Sequence, residues 1–264
     1  MTLLFAPAMA AEPARCLRAP VAGVEEIVTV ARPMCGVTDA RRVEARAGTT
    51  LVEDTRGTVR RYGGPGWMDT GRVVDERLSD ASAPSPVPDA VQADVGPAGG
   101  CAVTRLGGLV CWGEPWGGAP EPRAAAGVAD AAEVKLATPR DGCYRTTGGE
   151  LSCWGPLAGG TLDAPARVVG ATEVVAFDVG PRHGCVVRRD GGVACFGENP
   201  VGQLGDGTRD GHRDARPVHG IADAVGVSVA EDHTCVVLRS GGVACFGLDL
   251  YGELGAPRRA RDGR

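Results

Sequence analysis

The sequence predicts an all-β fold: a β-propeller of about five recognisable blades, one or two of them degenerate at the N-terminus, in a ring that is either closed or incomplete. Three observations predict it. Four cysteine pairs, each ten residues apart, fall at 101/111, 143/153, 185/195 and 235/245, and their first members are spaced by 42, 42 and 50 residues. Each pair encloses a Gly-Gly dipeptide and runs into an aromatic-glycine step, as in Cys111-Trp112-Gly113 and Cys195-Phe196-Gly197. The 41 glycines and 19 prolines follow no three-residue period, which excludes collagen and favours tight turns between short strands. A period of 42–50 residues holding three or four strands is that of a propeller blade.

Taken in chain order, residues 1–15 come first. Leu3-Leu4-Phe5-Ala6 and Ala8-Met9-Ala10 read either as the end of a truncated secretory signal or as a disordered Ala/Pro-rich leader. Residues 16–83 hold the degenerate blade or blades. Leu51–Gly64 superposes on residues 101–114 with an offset of 50, placing Leu51 and Arg61 where cysteines would stand. Gly23–Ala45 competes with it, because Cys35-Gly36-Val37-Thr38 echoes Cys101-Ala102-Val103-Thr104; the two are too close to be separate full blades. Residues 84–90, opening Pro84-Ser85-Pro86-Val87-Pro88, form a stiff connector. Residues 91–264 carry four clear repeats. In each, an apolar strand, a Gly-Gly turn and a second strand make a hairpin. Alternating segments at Ala131–Ala137, Thr172–Gly180 and Ala222–Ala230 supply a preceding strand.

Two strands of one hairpin set residues such as Cys185 and Cys195 opposite each other, within disulfide reach. Cys101–Cys111, Cys143–Cys153, Cys185–Cys195 and Cys235–Cys245 are therefore disulfide candidates, and Cys16 with Cys35 is a fifth. The alternative is reduced, buried cysteines packing as small apolar residues. Zinc knuckles need Cys-x2–4-Cys spacing, which is absent. Evenly paired cysteines point to an oxidising, extracytoplasmic compartment: periplasm, cell envelope or medium.

The repeat resembles that of the regulator-of-chromosome-condensation family. Glu231-Asp232-His233-Thr234-Cys235 follows that repeat's opening, with Ala230 in place of its glycine. Gly197-Glu198-Asn199-Pro200-Val201-Gly202-Gln203-Leu204-Gly205-Asp206-Gly207-Thr208 matches its closing half throughout. Gly247–Gly255 is a weaker copy, and the closings after Gly113 and Gly155 have lost the Gln-Leu-Gly portion. The paired cysteines resemble a bacterial type of the repeat. The resemblance implies a propeller scaffold. Its eukaryotic members exchange nucleotide on a small GTPase and touch chromatin, and its bacterial relatives include secreted binders and inhibitors. No residue of the exchange activity maps onto a matching position.

The remaining chemistry is sparse. His183 and His233 recur two residues before a cysteine and read as structural hydrogen-bonding groups, whereas His212 and His219 read as solvated. Gly205-Asp206-Gly207-Thr208 lacks the lysine of a phosphate loop and the spaced acids of a calcium loop, and reads as a turn. No catalytic, cofactor-binding or metal-ligating residue is assigned. Trp112 and Trp154 fall at the repeating aromatic position and are expected in the core; Trp67 and Trp116 fall in loops and are contact candidates. A net charge of −5 argues against nucleic acid, and no apolar run is long enough for a membrane span. The expected function is a non-catalytic protein-binding scaffold, exported and disulfide-stapled. The alternatives are a hydrolase or lyase using His212 or His219 beside an acidic pair, and a structural envelope module.

Overall fold

The computed structural model describes residues 26–33, 37–38, 40–46, 49–54, 59–63, 90–96, 99–113, 119–138 and 140–255. Among these, the structure is all-β: five antiparallel sheets in a propeller-like arrangement. The first sheet holds β2 (Ala40–Arg46), β3 (Thr49–Asp54) and β4 (Val59–Gly63). The second holds β5 (Ala90–Gly96), β6 (Gly99–Thr104), β7 (Leu109–Gly113) and β8 (Ala119–Ala124). The third holds β9 (Ala131–Leu136), β10 (Gly142–Thr146), β11 (Leu151–Trp154) and β12 (Ala166–Arg167), and the fourth β13 (Val174–Val179), β14 (His183–Arg188), β15 (Val193–Gly197) and β16 (His212–Pro217). The fifth orders β17 (Ala224–Val229), β18 (His233–Leu238) and β19 (Val243–Asp249), then returns to the start of the chain for its outer strand, β1 (Glu26–Pro33).

The cysteine register is as the repeat predicts. Cys101 faces Cys111, Cys143 faces Cys153, Cys185 faces Cys195 and Cys235 faces Cys245 across neighbouring antiparallel strands. All four pairs are disulfide-bonded, with Cα–Cα distances of 4.0–4.2 Å. These are the narrow, non-hydrogen-bonded positions of an antiparallel ladder. Each bridge closes a short loop and stabilises the chain by about 2.5–3 kcal/mol in the chain-entropy model. The eight sulfur-bearing residues are fully buried and sit within the three apolar clusters of the core. Trp112 and Trp154 are buried beside them. In the first sheet Leu51 faces Arg61, the register of a cysteine pair without cysteines.

The Gly-Gly turn has a second task. Gly191 has φ +86°, and a Cβ there would lie 2.5 Å from the Ala222 carbonyl oxygen of the next repeat. That close approach lets the Gly191 carbonyl accept the Ala224 N–H at the start of the fifth sheet, 2.9 Å away. The same tie joins Ala131 to Gly107, Val174 to Gly149 and Ala40 to Gly241. The sheets therefore follow one another in the order second, third, fourth, fifth, first, with innermost strands β5, β9, β13, β17 and β2 in succession. The junction between first and second sheets runs through residues outside the described ones.

The N-terminal stretch divides between two sheets: residues 26–33 complete the last, and residues 40–63 build the first. Its two competing readings are thus both partly used. The fourth strands of the second and fourth sheets carry little apolar signal: Ala119–Ala124 (APEPRA) and His212–Pro217 (HRDARP). They are edge strands, where proline and charge are tolerated. Strand alternation gives the molecule two ends. The Gly-Gly hairpins and the starts of the innermost strands share one face; the turns between first and second strands and the closing loops share the other.

Candidate functional site

The closing loop of the fourth sheet, residues 198–211, is built around two buried amides. Asn199 is 1% exposed and Gln203 is fully buried. The Asn199 Nδ2 donates to the carbonyls of Thr208 (3.2 Å) and Asp210 (3.3 Å) and to Asp206 Oδ1 (3.2 Å), while its Oδ1 accepts the Leu204 N–H at 3.0 Å. Gln203 Oε1 accepts the Val201 N–H at 3.1 Å. Leu204 then enters the core between the fourth and fifth sheets. Asp206 accepts the Thr208 N–H at 3.0 Å, the turn expected from Gly205-Asp206-Gly207-Thr208.

The loop leaves β15 at Gly197, φ +116°, where a Cβ would lie 2.6 Å from the His183 Cα. Only glycine lets the Glu198 N–H reach the Arg182 carbonyl, 2.8 Å away. Beside it lies a groove of about 290 Å3 lined by Pro156, Leu157, Pro181, Arg182, Glu198, His212 and Arg213. Arg182 stands among Glu198 (4.0 Å), Glu231 (3.5 Å) and Asp232 (3.3 Å). Arg213 is exposed and has no ion-pair partner among the described residues. Its lining combines apolar side chains with both acidic and cationic ones.

His212 lines the groove. Its Nδ1 lies 2.8 Å from the Asp214 carbonyl oxygen and its Nε2 lies 3.3 Å from Asp206 Oδ2. Partial burial pushes the Asp206 carboxyl up, but the Thr208 N–H and hydroxyl and the His212 ring outweigh it and hold it below its ordinary value. The Thr208 hydroxyl is committed to Asp206, 2.9 Å away. His212 is thus an anchor for the loop, touching one carboxylate and one backbone carbonyl. The backbone N–H of His219 bonds the Gly205 carbonyl, and its ring is exposed.

Behind the loop, His183 and His233 are both buried. Thr234 donates its hydroxyl to the Gln203 carbonyl at 3.0 Å, so the 2.7 Å contact from His183 Nε2 places the imidazole proton on Nε2. This chain ties the fourth sheet to the fifth. Burial, and then the neighbouring His233, depress the His183 pKa from 6.5 to about 3, which keeps the ring neutral. Trp154 Nε1 donates to the Arg140 carbonyl at 2.9 Å.

Of the sequence-predicted site residues, the four cysteine pairs are joined. Cys16, Cys35, Trp67 and Trp116 lie outside the described residues. No group of three or more metal-ligating side chains converges among the described residues. Sequence reasoning missed Arg182, Glu198 and Arg213, which no motif marks. It also left Asn199 and Gln203 unused, although the matched closing half of the repeat contained both.

Val174–Gln203, spanning β13 to the first amides of the closing loop, match the model of the Regulator of chromosome condensation (RCC1) repeat. Among solved structures, the chain is similar to Prp20p from Saccharomyces cerevisiae: 14% identity, TM-score 0.53, covering 79% of this chain and 58% of that one. Yeast RCC1 (Prp20) bound to Kap60 gives 13% identity, TM-score 0.54, and coverage of 84% and 61%. Human WBSCR16 is 18% identical with a TM-score of 0.48, covering 76% and 58%. At these identities the likeness concerns the fold. The chain spans about three-fifths of the length of the structures it matches. No curated protein matches the sequence.

Proposed function

We propose that this chain is a non-catalytic, protein-binding propeller scaffold, exported and stapled by disulfides, of the bacterial paired-cysteine type. The observation that carries the binding role is the groove beside the fourth sheet, which sets Pro156, Leu157 and Pro181 among charged side chains of both signs, its loop held by Asn199 and by the tie from Glu198 to Arg182. Preorganised surfaces that mix apolar and charged side chains suit protein recognition, because little side-chain entropy is lost on docking. Prp20p is described by its binding to Gsp1p and histones, and yeast RCC1 by its complex with Kap60, so its solved relatives in fold are binding proteins. The four bridged hairpins support export, since such bonds persist in oxidising compartments. Five blades with β1 as the outer strand of the last would form a closed ring, Glu26–Pro33 and Val243–Asp249 being paired in one sheet.

The test pairs two measurements on protein purified from its own cell. Alkylation without reductant is expected to leave the eight hairpin cysteines unmodified, and reductant is expected to expose them. Affinity capture from envelope and medium is expected to recover a protein partner that the Arg213→Glu variant no longer retains. Free thiols in the native protein would remove export from the proposal. Capture of nothing, or capture indifferent to Arg213, would leave a structural envelope module as the better description.

A further inference from the structure

The innermost strands share a device on the face opposite the groove. In β13, Val174 pairs with Arg188 and Ala176 with Val187, so Val175 is an extra, unpaired residue. Val225 is skipped in the same way between Ala224 and Gly226, and Val91 between Ala90 and Gln92. Each is a β-bulge at the second position of an innermost strand. The valines are 54%, 44% and 44% exposed at 91, 175 and 225. Because β5, β9, β13 and β17 succeed one another, these bulges form an arc around the axis, continued in β9 by Ala132.

Two residues before the bulge stands an exposed acid: Asp130, Glu173 and Asp223. Their carbonyls each accept an N–H at 2.8 Å, from Thr147, Arg189 and Arg239, which pins the backbone. Their carboxylates have no ion-pair partner among the described residues. Arg189 and Arg239 stand on the Gly-Gly hairpins, one strand further from the axis, and Arg145 is occupied by Glu133 at 3.4 Å. Among the described residues, the exposed side chains at the starts of the innermost strands are therefore apolar and acidic, with the arginines Arg105, Arg189 and Arg239 on the hairpins outside them.

We propose that this arc is a second docking surface, for a cationic segment of a protein partner that seats an aliphatic or aromatic side chain against Val175 and Val225. It rests on the binding-scaffold reading but uses the other face. Charge complementarity selects a basic partner. A second copy of this chain is disfavoured on two grounds. Face-to-face arcs would oppose like charges, and three half-exposed valines offer on the order of 200 Å2 against about 800 Å2 per partner in a standard interface.

The test is an anisotropy titration of the full, oxidised chain with a capped peptide alternating lysine and leucine. Binding is expected to weaken about tenfold in Asp130→Asn/Glu173→Gln/Asp223→Asn, severalfold in Val175→Ser/Val225→Ser, and to fall with added salt. Glu121→Gln, on the outer strand β8, is expected to bind as the parent does. All substituted side chains are exposed, and an unchanged thermal midpoint verifies the fold. Parent protein that does not bind the peptide, or arc variants that bind it equally, would overturn the proposal. A captured partner lost by Arg213→Glu but kept by both arc variants would also overturn it, while leaving the scaffold reading standing.

Discussion

The closing loops of the fourth and fifth sheets are the same structure made from different chemistry. Asn199 and Gln203 in the first become Asp249 and Glu253 in the second, fifty residues on, and all four are buried. The skeleton is retained: Asp249 Oδ1 accepts the Leu254 N–H at 3.2 Å, as Asn199 does for Leu204. Glu253 accepts the N–H groups of Leu250 (3.2 Å) and Tyr251 (2.6 Å), where Gln203 accepts that of Val201. What changes is the donor side. An amide both accepts and donates, so Asn199 also gathers the carbonyls of Thr208 and Asp210, whereas an ionised carboxylate only accepts. Burial accordingly pushes the Glu253 carboxyl above its ordinary value, with Asp249 adding to it and the N–H bonds opposing it. The lesson is that the fold needs the acceptor half of this pair of residues; the donor half sets how long and how firm the loop is.

Three experiments can break or sharpen that comparison. The largest effect is expected from Asn199→Ala, which orphans the Leu204 N–H and two carbonyls and should cost about 3 kcal/mol in denaturant unfolding. Asp249→Ala should cost less, about 1–2 kcal/mol, since only acceptor bonds are lost. Equal losses would break the comparison. Next, Glu253→Gln should stabilise the protein at neutral pH, seen as a higher denaturant midpoint than the parent's. The folded pKa of Glu253 is raised, so its favourable contribution exists in acid and is lost as pH rises through that value. The gain from glutamine should therefore vanish below the ordinary value of 4.5. The smallest and most local effect is in amide exchange. On acidification the fourth sheet should lose protection as pH falls from 6.5 toward about 3, because the unfolded chain protonates His183 and the folded one does not. Over the same descent the fifth-sheet loop should gain protection as Glu253 takes up its proton. Parallel changes in both loops would contradict their assigned chemistry.

Much of this was legible in advance for a local reason. Cys185 and Cys195 are ten residues apart with Gly191 between them, and a hairpin of that length pairs them whatever the rest of the chain does. Two outer strands were not legible, because His212–Pro217 and residues 121–124 are mostly exposed and have no apolar alternation to read. The groove was half legible. Asn199 and Gln203 announce a loop by their motif, but Arg182, Glu198 and Arg213 are single charges whose meaning comes from what lies beside them.

The sequence by itself determined the hairpins, their bridged register and the repeated blade, since turn geometry and a two-residue side-chain period act over a few residues. Only the tertiary structure decided that Glu26–Pro33 lies against Val243–Asp249, that His183 meets Thr234, and that Val175 and Val225 surface on one face with Glu173 and Asp223. Those placements satisfy edges and buried groups contributed by distant parts of the chain. No local pattern encodes which distant partner will arrive.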